Sequence, residues 1–514
     1  MIRSLLGRVT MYRLVTIVLT LLVVVALVLA ATSRISPEIF TLRAMFLTLV
    51  VLLLSSVVVD HVFGAMVGRR PHVESAFITG LLLWFLYWPS SETPTLAWFA
   101  LIAGIAQASK YVLAWRGRHL FNPAAAGVAA TVLIGEILGE RAASPPPRTT
   151  WWVATEVLFP FVLVGAALVL LRTGRRSLAL SFVVPAALLT AWGYTAFDPD
   201  VWATAEYVVY STPIVFFAGF MLSEPLTMAP RRAQQWALGV LAAVVFSWPL
   251  FSQRFLDEPL ALGPFEGTYE LALLAVNLIA FFLGQRGGIT LRLAESRRVA
   301  GDVHEFRFAP RRPLRMLPGQ YLELQVSHIA DMRGVRRVFT VVSAPGDETV
   351  AVAARVPEDC SSFKRALLDL EPGDEAYATG VQGDFVWPRG DAPLLLVAGG
   401  IGVTPFVSQL RAQPDRDAVL VYGVASSFEV AYRDELVELG VPVVLVSPGE
   451  PDDLPDGWTH VAADQLTADL VCEQVPDHAA RKAFVSGPPD MVTVLASGLR
   501  RHGLRVRTDH FTGY

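Results

Sequence analysis

Cysteine and charged residues are scarce in this chain. Its 514 residues include two cysteines, Cys360 and Cys472, and only 17% Asp, Glu, Lys and Arg. Because an iron–sulfur cluster needs about four thiolates, two cysteines exclude a cysteine-ligated cluster and also a disulfide framework. No basic stretch with interleaved aromatic residues is present, so the sequence indicates no nucleic-acid partner. We predict no metal site.

Hydrophobic residues are concentrated in the first part of the chain. They make up 53% of all residues, and the mean hydropathy is +0.48, which is not that of an ordinary soluble protein. Residues 1–285 consist of long apolar runs separated by short basic loops, whereas residues 286–514 have the charge density of a soluble α/β protein. The glycine-rich stretch at 284–288 marks the boundary, because such stretches form flexible linkers.

The first part contains repeated apolar segments. Several are shorter than the ~20 residues that a straight membrane span needs, but short segments are tolerated where neighbouring helices or a ligand satisfy the backbone. We therefore predict that residues 1–285 form an all-α polytopic bundle of about ten transmembrane helices. The ten segments are residues 14–32, 39–59, 76–88, 96–115, 124–138, 157–171, 178–192, 208–222, 236–251 and 271–283.

The distribution of Lys and Arg predicts the orientation of this bundle. If the N-terminus is cytoplasmic and all segments cross, most basic residues lie on the inner side, as the positive-inside rule requires. We therefore expect a multi-pass protein of the cell membrane, in contact with lipid, whose N-terminus and C-terminal domains are cytoplasmic. The inner basic residues are Arg3, Arg8, Arg13, Arg69, Arg70, Lys110, Arg116, Arg118, Arg172, Arg175, Arg176, Arg231 and Arg232, and the outer ones are Arg34, Arg43, Arg141, Arg148 and Arg254.

Two loops of the membrane half carry a proline next to a polar residue. Residues 118–127 enter a span through Asn122-Pro123, and residues 220–230 leave one through Glu224-Pro225. These loops resemble signatures of the membrane flavin subunits of the Rnf complex and of the sodium-pumping NADH:quinone reductase, the RnfD/NqrB family. The resemblance covers most of residues 1–285. It implies a flavin in the helical bundle, with Asn122 and Thr227 among its binding residues.

Some members of that family attach the flavin covalently to the threonine of a Ser-Gly-Ala-Thr motif. The corresponding stretch here, residues 211–214, reads Ser-Thr-Pro-Ile, so Ile214 stands at the acceptor position. We therefore expect no covalent attachment. Two alternatives stay open, which are non-covalent FMN in the membrane domain and no flavin there.

The soluble half contains a stretch that suits a flavin. Residues 337–343 read Arg-Val-Phe-Thr-Val-Val-Ser, and their alternation predicts a β-strand. Arg337 offers a fork of donors for a phosphate, Phe339 an aromatic face, and Thr340 and Ser343 hydroxyl donors. A Pro-Gly turn at 318–319 precedes this strand. Ser361 and Ser362 follow it, just ahead of a predicted helix over 363–370.

A glycine turn follows a buried apolar run further along. Residues 394–405 read Leu-Leu-Leu-Val-Ala-Gly-Gly-Ile-Gly-Val-Thr-Pro, which predicts a parallel strand, a tight turn and a helix. Glycines let the backbone approach a dinucleotide pyrophosphate, and the helix N-terminus supplies donors. Taken alone, the turn is equally typical of a simple strand–helix connection. Beside the flavin stretch it favours a nucleotide site.

From residue 289 to the end, the chain resembles the ferredoxin-NADP reductase family. The Pro-Gly-Gln-Tyr turn, the Arg-x-Phe-Thr strand, the serine pair and residues 380–385 occur in family order, followed by the glycine turn and residues 483–491. The resemblance implies a six-stranded antiparallel β-barrel for FAD at 286–390 and an α/β parallel-sheet domain for NADH or NADPH at 391–514. The residues expected to bind these cofactors are Tyr321, Arg337, Phe339, Thr340, Ser343, Ser361, Ser362, Gly399, Gly400, Gly402, Thr404, Pro405, Gly487 and Pro488.

The same resemblance implies roles in hydride transfer. Thr340 approaches the reactive edge of the flavin, and Ser486 stands where many members have a cysteine beside the nicotinamide. The terminal aromatic residue of the family, which covers the flavin, corresponds to Phe511 or Tyr514. Thr340, Ser486 and Tyr514 are therefore the predicted catalytic residues. Ala425 occupies a place where many relatives have arginine, so the choice between NADH and NADPH stays open.

These features together predict a membrane-bound flavoprotein that passes electrons from NAD(P)H through FAD to a second flavin or a quinone. One alternative is a reductase with an inert membrane anchor that serves a small electron-carrier protein such as a ferredoxin or flavodoxin. Another is a redox-linked ion transporter, for which Glu136 and Glu224 are the candidate residues because ionisable groups at membrane depth usually have a task.

Overall fold

The structure of the protein is a computed structural model. It describes residues 11–67, 73–115, 118–139, 144–224, 226–229, 232–256, 265, 269–285, 289–328, 336–378, 381–426 and 429–510. The chain forms two compact units, Met1–Arg286 and Gly287–Tyr514. The boundary between them lies within the glycine-rich stretch at 284–288.

The N-terminal unit is helical in its described residues. Capping side chains and early prolines define several helix starts; Thr41 Oγ1, for example, accepts from Ala44 N at 3.3 Å, and Pro123 occupies the first turn after Asn122. The helices are α1 Met11–Ala31, α2 Leu42–Met66, α3 Val73–Leu86, α4 Thr93–Val112, α5 Pro123–Leu138, α6 Phe159–Thr173, α7 Arg176–Tyr194, α8 Val201–Glu206, α9 Ile214–Phe216, α10 Arg232–Ser252 and α11 Tyr269–Ala280. π-Helical turns Tyr207–Ser211, Phe217–Leu222 and Phe281–Gln285 extend α8, α9 and α11, and strands β1 Ala114–Trp115 and β2 Arg118–His119 form a small hairpin.

The predicted count of ten transmembrane helices is wrong. Each of the ten apolar segments overlaps a helix, but among the described residues only α1, α2, α7 and α10 are long and apolar enough to cross a membrane. A fifth candidate is the pair Val201–Ser211 and Ile214–Leu222, which is bent by 42° at the Thr212-Pro213 break. Helix α3, with 14 residues, shows the reason, because at 1.5 Å per residue it is roughly 21 Å long against a hydrocarbon core of ~30 Å.

Aromatic residues fill the core of the N-terminal unit. Trp84 is fully buried and donates from Nε1 to Met45 O at 3.1 Å, while Trp152 donates from Nε1 to Trp84 O at 2.8 Å. Trp151 donates to the buried carboxylate of Glu270 at 2.9 Å. These three indole N–H groups therefore have partners, as is usual for buried tryptophans, whereas Trp248 Nε1 has none among the described residues.

An antiparallel sheet of six strands opens the C-terminal unit, as predicted. Its spatial order is β6-β5-β8-β3-β4-β7, and a bridge between Val341 and Val352 brings the two ends of the sheet together into a barrel. Leu291, Phe306 and Leu322 lie in its core. The strands are β3 Ile289–Ala300, β4 Val303–Pro310, β5 Tyr321–Gln325, β6 Arg336–Thr340, β7 Val350–Arg355 and β8 Glu375–Ala378; helix α12 Ser362–Leu368 lies between β7 and β8.

A parallel sheet of six strands completes this unit, and the predicted α/β domain is confirmed. Its order, β12-β11-β10-β9-β13-β14, places β9 beside β13 where the chain reverses direction across the sheet. All six residues of β9 are buried, as expected for a parallel strand covered on both faces. The elements are β9 Leu394–Gly399, α13 Thr404–Ala412, β10 Ala418–Gly423, α14 Arg433–Glu438, β11 Val443–Ser447, β12 Trp458–Ala462, α15 Ala468–Gln474, β13 Lys482–Gly487, α16 Pro489–Arg501 and β14 Val506–His510.

Candidate functional site

The glycine turn lies at the carboxyl end of β9, at the point where the strand order reverses. Such crevices bind ligands in open α/β sheets, because loops diverge there on either side. Ala398 pairs with Ser486 on one side, and Gly399 pairs with Gly423 on the other. The predicted nucleotide residues from two distant parts of the sequence therefore meet at one edge of the sheet.

Two glycines of the turn have distinct structural reasons. Gly400 has φ +53°, a left-handed conformation that most side chains disfavour. A Cβ at Gly402 would lie 2.5 Å from Ser486 O and 2.6 Å from Gly487 Cα, so only glycine lets the turn approach β13 this closely. The turn and the end of β13 therefore form one wall of the site.

The polar groups at this edge suit a nicotinamide dinucleotide. Ser486 is fully buried, and its Oγ has no hydrogen-bond partner among the residues that the structure describes. Thr404 donates from Oγ1 to Ile401 O at 3.1 Å, and Pro405 lies in the first turn of α13. Pro488 precedes the first residue of α16. Two helix N-termini therefore lie at the same edge, where the positive ends of their dipoles favour a phosphate.

The predicted flavin residues come together on strands β5 and β6 of the barrel. Tyr321 lies directly opposite Thr340 in the sheet, and Thr340 is 5% exposed. The backbone of Tyr321 also pairs with Gln382. A Cβ at Gly383, which has φ +109°, would lie 3.0 Å from the Tyr321 ring, so the ring covers this glycine. The Pro-Gly turn and the stretch after β8 thus support Tyr321 from both sides.

Arg337 and Phe339 lie on the same face of β6, because they are two residues apart. The guanidinium of Arg337 is buried and lies 5.1 Å from the centre of the Phe363 ring, and Phe339 stacks on that ring at 5.9 Å. Phe339 is also part of the barrel core. The cradle is therefore organised around Phe363 in α12, a residue that the sequence patterns did not single out.

The serine pair lies beside this cluster. Ser361 precedes the first residue of α12, and its buried Oγ has no hydrogen-bond partner among the described residues. Ser362 Oγ is hydrogen-bonded to His328 Nε2 at 3.2 Å. His328 was missed in the sequence, where it stands in no recognisable motif. Ser343 differs from the others, since its Oγ already accepts from Ala351 N at 2.9 Å.

These residues fit the two cofactors. A buried guanidinium suits the pyrophosphate of FAD, and the hydroxyls of Ser361 and Ser486 are buried groups that a ligand can satisfy. The predicted roles of Phe511 and Tyr514 fall on residues outside the described part of the chain. The individual binding roles stay predictions.

The two proline loops of the N-terminal unit also meet. Glu224 accepts from Asn122 Nδ2 at 3.1 Å and is paired with His119 Nε2 at 2.9 Å. Asn277, on α11, bonds to both loops, accepting from Asn122 N at 2.8 Å and donating to Thr227 O at 3.3 Å. Asn277 therefore links α11 to the start of α5 and to the second proline loop.

A small cavity lies beside this polar cluster. It measures about 50 Å³, and its lining includes Ser75, Asn122 and Glu224 among both polar and apolar side chains. Ligand sites for molecules of flavin size are typically ~300 Å³ or larger, so this cavity as it stands has room for a few water molecules but not for a flavin ring. Glu136, the other candidate for ion transport, lies in the last turn of α5 and is exposed.

Comparisons with known proteins address the C-terminal unit. Residues 396–496 match the model of the oxidoreductase NAD-binding domain. The chain is 27% identical over 237 residues to the reductase subunit of an aromatic O-demethylase from Amycolatopsis sp., covering 43% of this chain and 68% of the relative. It is 29% identical over 176 residues to the NADH oxidoreductase HCR of Escherichia coli, covering 33% and 51%. A solved structure, the cytochrome P450 reductase GcoB of Amycolatopsis, has 25% identity and a TM-score of 0.38 over 44% of this chain and 69% of its own.

A further relative is the reductase component of propane 2-monooxygenase from Mycolicibacterium smegmatis, with 27% identity over 206 residues. The chain spans 57% of this relative and about half of the Escherichia coli protein. The C-terminal half is therefore similar to reductases of the ferredoxin-NADP reductase type, and these matches support an NAD(P)H-dependent FAD oxidoreductase. The resemblance of residues 1–285 to the RnfD/NqrB family is not shown by these matches and stays a prediction.

Proposed function

We propose that the chain is a membrane-bound flavoprotein oxidoreductase. Hydride from NADH or NADPH passes to FAD in the C-terminal unit, and the electrons then pass to a membrane acceptor, which is a second flavin or a quinone. The observation that carries the reductase part is the meeting of the Gly399 turn with the buried Ser486 hydroxyl where the strand order reverses.

The residues of the chain bind and orient the two cofactors. When bound, FAD supplies the acceptance of a hydride and its release as single electrons. Arg337 would hold the phosphate of FAD, and Thr340 would offer a hydroxyl to its ring. Ser486 is fully buried, so its hydroxyl can orient the nicotinamide where water is excluded. Positioning of this kind accounts for much of the rate in reactions that need no acid or base.

The surface of the N-terminal unit supports a membrane location. Leu21, Leu54 and Leu180 lie on three of the helices with spanning length, and each is about 60% exposed. Leucines exposed in this number on apolar helices are favourable against lipid and unfavourable against water. We propose a cell-membrane location with the N-terminus and the C-terminal unit on the cytoplasmic side.

Flavin analysis of the full-length protein in detergent tests this proposal. FAD and FMN are released by denaturation and separated, and bleaching of the visible flavin absorption is followed with NADH and with NADPH. We expect one FAD per chain, bleached by one of the nucleotides. A second flavin, FMN, would identify the N-terminal unit as an electron carrier, whereas a protein without FAD would overturn the proposal.

The names of the relatives favour a second candidate function. Two of them are reductase components or subunits of a monooxygenase and a demethylase. In this case the N-terminal unit is an anchor, and the acceptor is a small electron-carrier protein. Full-length protein in liposomes distinguishes the two functions. If the second function is correct, NADH oxidation depends on added ferredoxin or flavodoxin and not on quinone in the bilayer.

A further inference from the structure

A buried carboxylate in the barrel has three hydrogen-bond donors. Glu305, on β4, is 2% exposed and accepts from Arg297 Nε at 2.9 Å, from Arg307 Nε at 2.8 Å and from the Tyr432 hydroxyl at 2.8 Å. Burying a charge is costly unless it is paired and hydrogen-bonded, and these contacts meet that condition. None of the functional residues discussed above takes part in this network.

The network joins two parts of the C-terminal unit. Arg297, Glu305 and Arg307 belong to the barrel, whereas Tyr432 belongs to residues 429–435, which we call the junction segment and which follow β10. Arg297 also donates to Glu435 Oε1 at 2.6 Å. Arg355 of β7 adds a further link, from its guanidinium to Glu429 at 3.2 Å. The junction segment is thus attached to the barrel at both of its ends and at Tyr432.

The backbone of the junction segment needs this attachment. Tyr432 has φ +62°, the left-handed conformation, although it is neither glycine nor asparagine. This conformation is unfavourable for a residue with a side chain and persists only where its surroundings enforce it. The Tyr432 side chain is buried, and its hydroxyl ends on Glu305. The contact with the barrel therefore holds the strained residue in place.

The position of the segment connects it with the nucleotide site. It follows β10, whose last residue, Gly423, pairs with Gly399 of the dinucleotide turn. On the other side of that turn, Ser408 and Gln409 of α13 donate to Ser343 O at 2.8 Å and to Phe385 O at 2.7 Å in the barrel. The elements on both sides of the nucleotide turn are therefore fastened to the flavin barrel by buried polar side chains.

We infer that Glu305 is a positioning residue for hydride transfer: by holding the junction segment against the barrel, it sets the approach of the nicotinamide to the flavin. Glu305 touches neither reacting group and acts through Tyr432 and Arg297. Displacement of a reacting group by about 1 Å can lower a rate ~100-fold. A contact that does not touch the reacting groups can therefore still change the rate of hydride transfer. The inference rests on the reductase part of the proposed function and is independent of the membrane acceptor.

The substitutions Glu305→Gln and Tyr432→Phe test this inference in the full-length protein. Glutamine keeps the shape of the side chain but presents an N–H₂ group to donors, whereas phenylalanine removes one hydrogen bond. We expect flavin reduction at saturating nucleotide to slow about tenfold in Glu305→Gln and about threefold in Tyr432→Phe, with unchanged FAD content. Hydrogen–deuterium exchange of residues 429–435, measured without nucleotide, should be faster in both variants.

Asp477→Asn provides the matched control. Asp477 is also paired with an arginine, Arg481, but this pair lies within the nucleotide domain and makes no contact with the barrel among the described residues. It should change neither the exchange of residues 429–435 nor the reduction rate. Faster exchange with an unchanged reduction rate in both test variants would show that the network is only structural and would overturn the inference.

The outcome for the wild-type protein separates the two proposals. Wild-type protein whose FAD is not bleached by NADH or NADPH would overturn the proposed function and this inference with it. Wild-type protein that is reduced, together with equally fast reduction of Glu305→Gln and Tyr432→Phe, would overturn the inference alone. If Glu305→Gln fails to fold, Tyr432→Phe decides, since it leaves the carboxylate and both arginines in place.

Discussion

A buried hydroxyl without a partner costs free energy in the protein alone, so it marks a place where a ligand can supply the partner. Ser486 and Ser408 are both fully buried, but Ser408 donates to Ser343 O at 2.8 Å, whereas Ser486 Oγ has no partner among the described residues. The two serines therefore allow a matched comparison of a ligand-binding hydroxyl with a structural one.

We expect Ser486→Ala to leave the thermal unfolding midpoint unchanged or slightly raised and to slow flavin reduction by NAD(P)H about two- to tenfold, because the nicotinamide loses one hydrogen bond. Ser408→Ala should instead lower the free energy of unfolding by about 1–2 kcal/mol. Thermal unfolding and stopped-flow reduction of both variants measure this. Equal losses of stability in the two variants would contradict a ligand role for Ser486.

The environment of Glu305 leads to a prediction about how the stability of the fold depends on pH. Burial raises the pKa of its carboxyl, but hydrogen bonds from Arg297, Arg307 and Tyr432 outweigh burial and hold the pKa below its ordinary value. A carboxyl with a lowered folded-state pKa stabilises the protein fully above its unfolded pKa of about 4.3, and this stabilisation is lost as the pH falls through the folded-state value. Glu435, which also binds Arg297, is the other acidic group in contact with the network.

The stability difference between wild type and Glu305→Gln should therefore be constant between pH 6 and 8 and should shrink below roughly pH 4. Denaturant unfolding of the C-terminal unit in the full-length protein, followed across this range, measures the difference. Asp477→Asn again serves for comparison, because its carboxylate is largely exposed and contributes little. A difference that is the same at every pH would show that the charge of Glu305 does not stabilise the fold.

At the scale of secondary structure, the glycine turn is constrained by packing as much as by any ligand. We expect Gly402→Ala to destabilise the protein by about 1–3 kcal/mol, because the added Cβ would meet the backbone of Ser486 and Gly487, which cannot move aside easily. Gly449→Ala is the control, since nothing lies within 4 Å of a Cβ there and its φ is not positive. Thermal unfolding compares the two, and equal midpoints would show that the turn is more adaptable than its packing suggests.

The helices and strands that the sequence predicts well are those with a local signal. The apolar run at 394–399 is a buried strand, and the helix predicted at 363–370 begins at Ser362 and ends at Leu368. The number of membrane spans could not be predicted in this way. Hydropathy locates apolar helices, but it does not show that Pro213 interrupts one of them or that α3 and α6 end after 14 and 15 residues.

At the scale of the whole molecule, the candidate site could be predicted only where residues belong to ordered motifs. The motifs place Arg337, Thr340 and Ser486 correctly on the barrel and the nucleotide sheet. Phe363, His328 and Glu305 could not be found, because their partners are distant in sequence; Glu305 and Tyr432, for example, are 127 residues apart. A tertiary contact between single residues leaves no periodic signal in one sequence.

The membrane topology proposed for the N-terminal unit gives the last prediction. If only the four helices of spanning length cross, the chain returns to the side of the membrane on which it began. If the bent pair is a fifth span, the start and the end of the N-terminal unit lie on opposite sides. Nicotinamide dinucleotides are cytoplasmic, and the basic residues near the N-terminus favour the same side. We therefore expect an even number of crossings, so that the helix pair bent by 42° enters and leaves the bundle on one side.

Inverted and right-side-out membrane vesicles test whether the number of crossings is even. NADH or NADPH added outside should bleach the flavin only in inverted vesicles, and a tag fused to the N-terminus should be cleaved by protease in the same preparation. Cleavage in right-side-out vesicles combined with flavin bleaching in inverted ones would mean an odd number of crossings, and the bent pair would then be a span. Release of the protein by alkaline carbonate without detergent would instead contradict the membrane location itself.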